Sequence, residues 1–182
     1  MAVAAFIAFS VGIVFGIILQ PNVIHLRYVP PVINVTTPSL QTASVNVQDE
    51  LIKSETQSAF TMLGALNAKV RAGALTLDQA KKIGADELRA MRYGTDGYFF
   101  ADTSKGVNVV LPGSAGVEGT NRLTAEIAGI PYVQRIIAAG MTGGGYTDYS
   151  YPKMGEQVPS PKRAYSMYFE PFDWNIGTGY YK

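Results

Sequence analysis

Residues 163–182, with the sequence RAYSMYFEPFDWNIGTGYYK, carry the pattern that decides the fold. The side chains of a β-strand alternate between its two faces, so Tyr165 and Met167 share one face. Ala164 and Ser166 share the other face. The face with Tyr165 and Met167 can line either a ligand pocket or an ordinary core. The function that the sequence indicates depends on which of these is correct.

Five segments of the chain show the strand period of two residues. They are residues 97–101, 107–111, 146–151, 162–169 and 174–181. The turn DTSKG joins the first two segments, which is typical of a hairpin. We therefore expect the later part of the chain to form an antiparallel sheet.

The residues before these strands show a helical period. From Asp49 onward, apolar side chains recur on one helix face, and Gly73 is of the residue type that ends helices. Thr76 begins a second helix, with Gln79 as its partner in a capping box. Residues 122–139 form a further helical or mixed segment. This order, with helices first and five strands later, predicts an α+β domain built on a five-stranded antiparallel sheet.

The composition limits the number of domains and excludes several functions. With 182 residues we expect one domain with appendages. The net charge is +1 without a basic block, which argues against a nucleic-acid partner. The chain has no cysteine and a single histidine, His25, so we expect no metal site and no Ser-His-Asp catalysis. No nucleophile has a visible base, so we predict neither enzymatic activity nor a cofactor.

Residues 1–20 predict a transmembrane anchor. The first nineteen of them carry no charge, and as a helix they span about 28 Å, close to the hydrocarbon core of a bilayer. A cleaved signal peptide is the alternative, but no basic residue precedes the apolar run and no small-residue cleavage site follows it directly. Gly12 and Gly16 have the spacing that lets two membrane helices pack closely, although glycine is common in such helices in any case.

Residues 21–48 separate this anchor from the domain at residues 49–182. They contain four prolines and no helical period, which predicts an extended connector. Arg27 is the one full charge among many apolar residues. Flexible linkers are polar or charged, so we expect this connector to lie along another surface, either its own domain or a partner protein.

Five motifs occur in order between residues 55 and 182. They read AGALTLDQAKKIGADELRAMRYGTDGYFFADTSKG, VEGTN, GGGYTDYSYPKMGE, PKRAYSMYF and WNIGTGYY. Together they resemble the single-Cache extracytoplasmic sensor domains of bacterial chemotaxis receptors and sensor kinases. The resemblance implies a PAS-like sheet behind a long helix. It also implies a single-pass protein of the bacterial inner membrane with its domain in the periplasm.

The resemblance further implies a small cavity that holds a short carboxylate such as acetate, propionate, pyruvate or lactate. Matched by motif, the candidate pocket residues are Arg92, Tyr98, Phe100, Tyr149, Tyr151, Tyr165 and Met167. Alternating aromatic residues also form ordinary cores, and Arg92 is also suited to an ion pair at a helix end. A buried phenol needs a hydrogen-bond partner, which a bound carboxylate supplies.

Two positions depart from the resembled family. Met167 stands where its members usually carry a basic residue, and Leu111 stands where they often carry a histidine. Alternation places Lys162 on the side of the strand opposite Met167. We therefore expect Met167 to fill the cavity with an apolar thioether, so that the cavity lacks the positive charge that a buried carboxylate needs. Arg92 or Lys162 is the alternative cation for an anion, together with the phenols.

Two functions remain open from the sequence alone. The first is a non-catalytic accessory or interaction subunit of a larger membrane complex, which contacts the bilayer and other membrane proteins through its N-terminal helix and connector. The second is a ligand-sensing domain for small carboxylates in chemotaxis or signal transduction. Met167, the apolar connector and the lack of an output module before Lys182 favour the first hypothesis. The family resemblance favours the second.

Overall fold

The computed structural model describes the backbone of residues 4–8, 14–20, 23–29, 40–114 and 116–182. Side chains are described from Val47 onward, apart from residue 115. The chain divides into two units, Met1–Ser39 and Leu40–Lys182, and each is described by itself.

The first unit contains strands where the sequence predicts a transmembrane helix over residues 1–20. They are β1 (Ala4–Ala8), β2 (Val14–Gln20) and β3 (Val23–Val29), which form an antiparallel sheet in this order. Valine, isoleucine and phenylalanine favour strands as well as apolar helices. The apolar start of the predicted connector supplies the paired strand that satisfies the backbone of β2.

The glycine pair predicted to pack membrane helices has a different setting. Gly16 lies in β2, opposite Phe6 of β1 and Arg27 of β3. Gly12 lies outside the described residues. A helix contact through these two glycines is therefore not part of the described structure. Among the helices that the structure describes, none combines the length and the apolar character needed to cross a bilayer.

The second unit begins with α1 (Leu40–Arg71), which starts before the predicted position, Asp49. The helix therefore includes the last part of the predicted connector at residues 21–48. No proline follows Pro38 in that connector, so nothing in its covalent structure stops a helix there. Extending an existing helix also costs far less free energy than starting one.

The predicted end of α1 and the start of the next helix are confirmed. Gly73 has a φ angle of +73°, which glycine adopts without the penalty that a Cβ atom brings. Helix α2 (Leu77–Ala90) then begins with the predicted capping box. The backbone N–H of Gln79 donates to Thr76 Oγ1 at 3.2 Å, and the backbone N–H of Thr76 donates to Gln79 Oε1 at 2.9 Å.

One sheet and one more helix complete the second unit. In chain order the elements are β4 (Arg92–Tyr93), β5 (Gly97–Thr103), β6 (Asn108–Val110), α3 (Tyr132–Met141), β7 (Gly145–Pro152), β8 (Pro159–Phe169), a 3₁₀ turn (Glu170–Phe172) and β9 (Trp174–Tyr181). The strand order is β4-β5-β9-β8-β7 with β6 paired to β5, and every pairing is antiparallel. The predicted α+β class is confirmed, and the two-residue β4 is an additional strand too short to show alternation.

Only the end of the segment at residues 122–139 is helical. Helix α3 begins directly after Pro131, which is its N-cap residue. Proline has no backbone N–H to donate, so it is tolerated at a helix start and excluded from a helix interior. The residues before it form an irregular loop that reaches the candidate site.

Different helices cover the two faces of the sheet. On one face, Phe99 and Trp174 pack in a cluster with Leu63 of α1 and with α2. On the other face, Phe100 packs in a cluster with Val133 of α3. Each buried aromatic side chain contributes roughly 1.5–3 kcal/mol through burial alone. Because successive side chains of β5 point to opposite faces, this strand contributes to the hydrophobic core on each side of the sheet.

Candidate ligand-binding site

A small cavity lies on the face of the sheet that α3 covers. Its polar lining residues are Tyr98, Asp102, Arg122, Tyr132, Tyr149, Tyr151 and Lys162, and its apolar ones are Phe100, Leu111, Val133 and Ile136. The cavity volume is about 20 Å³. A single buried water needs roughly 10–15 Å³. The cavity therefore suits a ligand of only a few heavy atoms.

The small side chains of β8 point toward α3 and the cavity. Ser166 donates from Oγ to the backbone carbonyl of Ile136 at 2.9 Å, and Ala164 packs in the same cluster as Val133. Small residues at these positions let α3 approach the sheet closely. By alternation, Lys162 lies on this same face.

Tyr165 and Met167 lie on the opposite face, toward α1. The ring of Tyr165 packs edge to face on Tyr146 at 4.8 Å between centroids. Farther along this face, Phe169 packs on Phe60 of α1 at 5.1 Å. The prediction that Met167 fills the cavity is therefore wrong. Alternation defines two faces of a strand, but only the packing of α3 decides which of them meets the cavity.

Lys162 is the cation that the sequence interpretation placed outside the cavity. Lys162 is 2% exposed, and its Nζ donates to Tyr98 Oη at 2.7 Å. Nζ also lies 4.1, 4.9 and 5.8 Å from the ring centroids of Tyr98, Tyr181 and Tyr151. Among the described residues, no carboxylate lies within 4 Å of it. Burial lowers the pKa of Lys162 to about 7, with the charge of Asp96 acting in the opposite direction.

Neutral phenols surround this ammonium group. Burial raises the pKa of Tyr98 and of Tyr149, so both phenols stay protonated and able to donate. Tyr149 stands directly opposite Lys162 in the pairing of β7 with β8, and its ring stacks on Tyr132 at 5.4 Å. One end of the cavity thus combines a cation with several hydroxyl donors.

The other polar groups of the cavity are Arg122 and Asp102. Arg122 donates from Nη2 to Tyr132 Oη at 2.6 Å. Burial acts to lower the pKa of Arg122, but nearby phenols and Asp102 outweigh it, so its pKa is raised and the group is cationic. Asp102 is 3% exposed and accepts from Asn108 Nδ2 at 2.8 Å. Burial raises the pKa of Asp102, against the opposing effects of Asn108 and Arg122.

The structure brings four of the seven predicted pocket residues together. They are Tyr98, Phe100, Tyr149 and Tyr151. Tyr165 and Met167 lie on the other face of the sheet. Arg92 is exposed and donates from Nη1 to the backbone carbonyls of Arg89 and Met91, at 2.8 and 2.7 Å. It therefore stabilises the end of α2 and does not reach the cavity.

Three charged lining residues were missed from the sequence. Lys162 follows the alternation of Ala164 and Ser166, so a correct choice of face identifies it. Asp102 shares the face of Tyr98 and Phe100 by the same rule. Arg122 lies in an irregular loop, where no periodicity indicates its direction.

The charges and donors of these groups are suited to hold a small anion. Lys162 offers further N–H donors, and the phenols offer O–H donors, at a largely buried position where hydrogen bonds are stronger than in water. Within the described part of the chain, no group of three or more acidic or histidine side chains is placed to hold a metal ion. The arrangement supports recognition of a ligand.

Comparison with known proteins identifies relatives in bacterial sensing. The family described as Single Cache domain 2 matches residues 45–182. The sensor histidine kinase MctS of Rhizobium johnstonii is 30% identical over 105 residues, which are 57% of this chain and 23% of the kinase. The methyl-accepting chemotaxis protein McpP of Pseudomonas putida is 27% identical over 128 residues, which are 69% of this chain and 23% of the receptor. The match thus spans about a quarter of either relative.

A solved structure has the same fold. It was determined for carboxylic acid recognition by a Cache chemosensory domain, and it superposes with a TM-score of 0.73 and 25% sequence identity. The alignment covers 77% of this chain and 97% of that domain. The similarity thus includes nearly the whole of a chemosensory domain.

Proposed function

Because the chain belongs to the single Cache domain 2 family, we propose that residues 45–182 are a ligand-sensing domain for a small carboxylate. The observation that carries this proposal is the buried ammonium group of Lys162, which has phenols around it and no carboxylate within 4 Å among the described residues. Domains of this family are non-catalytic ligand-binding modules.

The energetics of a buried charge support an anionic ligand. Removing an ammonium group from water costs several kcal/mol unless a partner compensates for the lost hydration. One phenol and three aromatic rings compensate in part. A carboxylate beside Lys162 pairs the charge and accepts hydrogen bonds from the phenols of Tyr98 and Tyr149.

The accessory-subunit hypothesis loses its main argument. It depended on a cavity without a cation, and Lys162 and Arg122 both line the cavity. The relatives are a sensor kinase and a chemotaxis receptor, which favours sensing over a structural role in a complex. A solved domain with this fold recognises a carboxylic acid, which favours the same ligand class.

We also place the domain outside the cytoplasmic membrane, with residues 1–20 as its anchor. The support is the uncharged apolar sequence together with the extracytoplasmic setting of the resembled sensor domains. In a bilayer, an open three-stranded sheet leaves unpaired backbone groups at its edges, whereas a helix pairs its own groups. Expression with a C-terminal alkaline phosphatase tests the topology: high phosphatase activity in intact bacteria is expected, and activity only from a cytoplasmic reporter contradicts it.

Calorimetric titration of the purified full chain with acetate and propionate tests the ligand class. We expect saturable binding by the unmodified chain. Lys162→Met should weaken binding by roughly 30-fold or more, because truncating one partner of a buried charged contact costs about 2–5 kcal/mol.

Met167→Leu is the matched control for this experiment. It changes an apolar residue of the same strand, on the face away from the cavity. The affinity of this variant for acetate and propionate should therefore remain within about threefold of that of the unmodified chain. The proposal is wrong if no short carboxylate binds, or if Lys162→Met binds as tightly as the control.

A further inference from the structure

The cavity contains two opposite charges that do not touch each other. Asp102 and Arg122 both line it, yet among the described residues no ion pair joins them within 4 Å. Each affects the pKa of the other through its charge. A buried acid and a partly buried base that line the same small cavity leave a gap in which a polar group of a ligand can bridge them.

This polar gap lies away from Lys162. Tyr98, which contacts Lys162, and Asp102 occupy the same face of β5, and the intervening strand spans about 13 Å. Lys162 Nζ and Arg122 Cζ lie 5.8 and 5.9 Å from the same ring centroid of Tyr151, so they are at most about 12 Å apart. An acid of three carbons with a hydrogen bond at each end spans roughly 10 Å. One small ligand is therefore long enough to reach both ends.

The groups at the gap have capacity for further hydrogen bonds. Asp102 accepts from Asn108, and a carboxylate accepts more than one such bond. Arg122 makes one side-chain hydrogen bond among the described residues, to Tyr132, out of the five N–H groups that a guanidinium carries. The cavity thus offers both an acceptor, Asp102, and a donor, Arg122, to a ligand.

Four kinds of ligand end can be compared at this gap. A second carboxylate is repelled by the negative charge of Asp102, and an ammonium group is repelled by the positive charge of Arg122. An alkyl end leaves the remaining hydrogen-bonding capacity of both groups unused in a partly desolvated space, which is unfavourable. An oxo group accepts from Arg122 but donates nothing to Asp102. A hydroxyl group does both, since it is at once donor and acceptor.

We propose that the cavity selects a small hydroxy-monocarboxylate, with the carboxylate at Lys162 and the hydroxyl group bridging Arg122 and Asp102. This inference rests on the proposed carboxylate-sensing function and adds Asp102 and Arg122 as its specificity-determining residues. A hydrogen bond to a charged group is worth on the order of tenfold in affinity or more.

Titration of the full chain with acids of matched carbon number tests the selection. The pairs are glycolate with acetate, and lactate or 3-hydroxypropionate with propionate. At least one hydroxy acid should bind about tenfold more tightly than its alkyl counterpart. Equal or tighter binding of both alkyl acids overturns this inference while leaving the carboxylate-sensing function intact. Absence of binding by all five acids overturns the sensing function itself.

Asp102→Asn tests the role of the acid directly. If the amide oxygen takes over the hydrogen bond from Asn108, the amide NH₂ faces the gap and replaces an acceptor by a donor. The ratio of lactate affinity to pyruvate affinity should then be about tenfold lower in Asp102→Asn than in the unmodified chain. Glu126→Gln, which removes an exposed acid, is the control and should leave the ratio unchanged. A lactate-to-pyruvate ratio that is the same in Asp102→Asn and in the control contradicts the assignment.

Discussion

At the scale of single residues, the protonation of Lys162 makes ligand binding at the site depend on pH. Burial lowers the pKa of its ammonium group to about 7, so near neutral pH the free domain is a mixture of charged and uncharged forms. A bound carboxylate stabilises the charged form and raises the pKa again. Ligand binding and protonation of this one side chain are therefore linked.

The first prediction concerns the pH dependence of affinity. Well below pH 7 Lys162 is charged in the free domain, so affinity should vary little until the ligand itself is protonated. Above pH 7 binding must take up a proton, so affinity should fall by up to about tenfold per pH unit. Calorimetry at pH 8 in buffers of different ionisation enthalpy measures this uptake, which should approach one proton per ligand. Lys162→Arg should show no such uptake, and equal uptake in both chains contradicts the prediction.

The second prediction concerns Tyr98, whose phenol oxygen accepts a hydrogen bond from Lys162. Tyr98→Phe keeps the ring beside the ammonium group and removes this acceptor. The affinity for acetate should fall by about three- to tenfold, because a net hydrogen bond contributes roughly 0.5–1.5 kcal/mol. Tyr180→Phe, on a strand face away from the cavity, should leave the affinity unchanged in the same titration.

At the scale of elements, the contact between α3 and β9 depends on one glycine. Gly140 lies in α3 directly against the Asn175 side chain, and a Cβ atom there would overlap Asn175 Oδ1. Asn175 Oδ1 is buried and has no hydrogen-bond partner among the described residues, while Nδ2 donates to the Ile136 carbonyl at 3.2 Å. The close approach of α3 to β9 thus requires a glycine at position 140 and holds the Asn175 amide in one orientation.

The third prediction compares two glycines in helices. Gly140→Ala should destabilise the domain by about 1–3 kcal/mol, because the new methyl group must displace Asn175 or α3 itself. Gly64→Ala in α1 should stabilise it by about 0.5–1 kcal/mol, since no neighbouring atom lies within 4 Å of its Cβ position. Urea denaturation followed by circular dichroism measures both values. Destabilisation of equal size in both variants would show that the Asn175 contact is not the cause.

The sequence predicts elements better than it predicts how they face each other. Periodicity identified five of the six strands of the sheet, and Gly73 and Thr76 marked the helix ends, because these signals are local. The orientation of β8 is not local, since the packing of α3 on Ala164 and Ser166 decides it. Arg122 was missed for a related reason: it reaches the cavity from a loop whose path depends on the whole domain.

At the scale of the domain, Arg163 connects α1 to the sheet. Arg163 Nε donates to Asp49 Oδ1 at 2.8 Å, and its Nη1 donates to Asp148 of β7. Tyr180 Oη also donates to Asp49 Oδ1, at 3.1 Å, and Tyr146 Oη donates to the Asp49 carbonyl at 3.0 Å. Three strands therefore hold the same turn of the helix.

The fourth prediction follows from this connection. Arg163→Ala should reduce the protection of amide hydrogens around Asp49 from exchange, because the helix loses its charged contact with β8. The global free energy of unfolding should fall by no more than about 1–2 kcal/mol, since the ion pair is partly solvent-exposed. Hydrogen exchange followed by mass spectrometry measures the local effect. Lys82→Ala, which removes an exposed ion pair within α2, is the control and should leave exchange around Asp49 unchanged.

The position of the single tryptophan affects how this domain can be studied by fluorescence. Trp174 is 3% exposed and packs between the sheet and the α1–α2 pair, whereas the tyrosine-rich cavity lies behind the same sheet. Its emission should therefore report separation of the helix pair during denaturation and should respond weakly to an acid in the cavity. Ultraviolet difference spectra of the tyrosines are the better optical signal for occupancy.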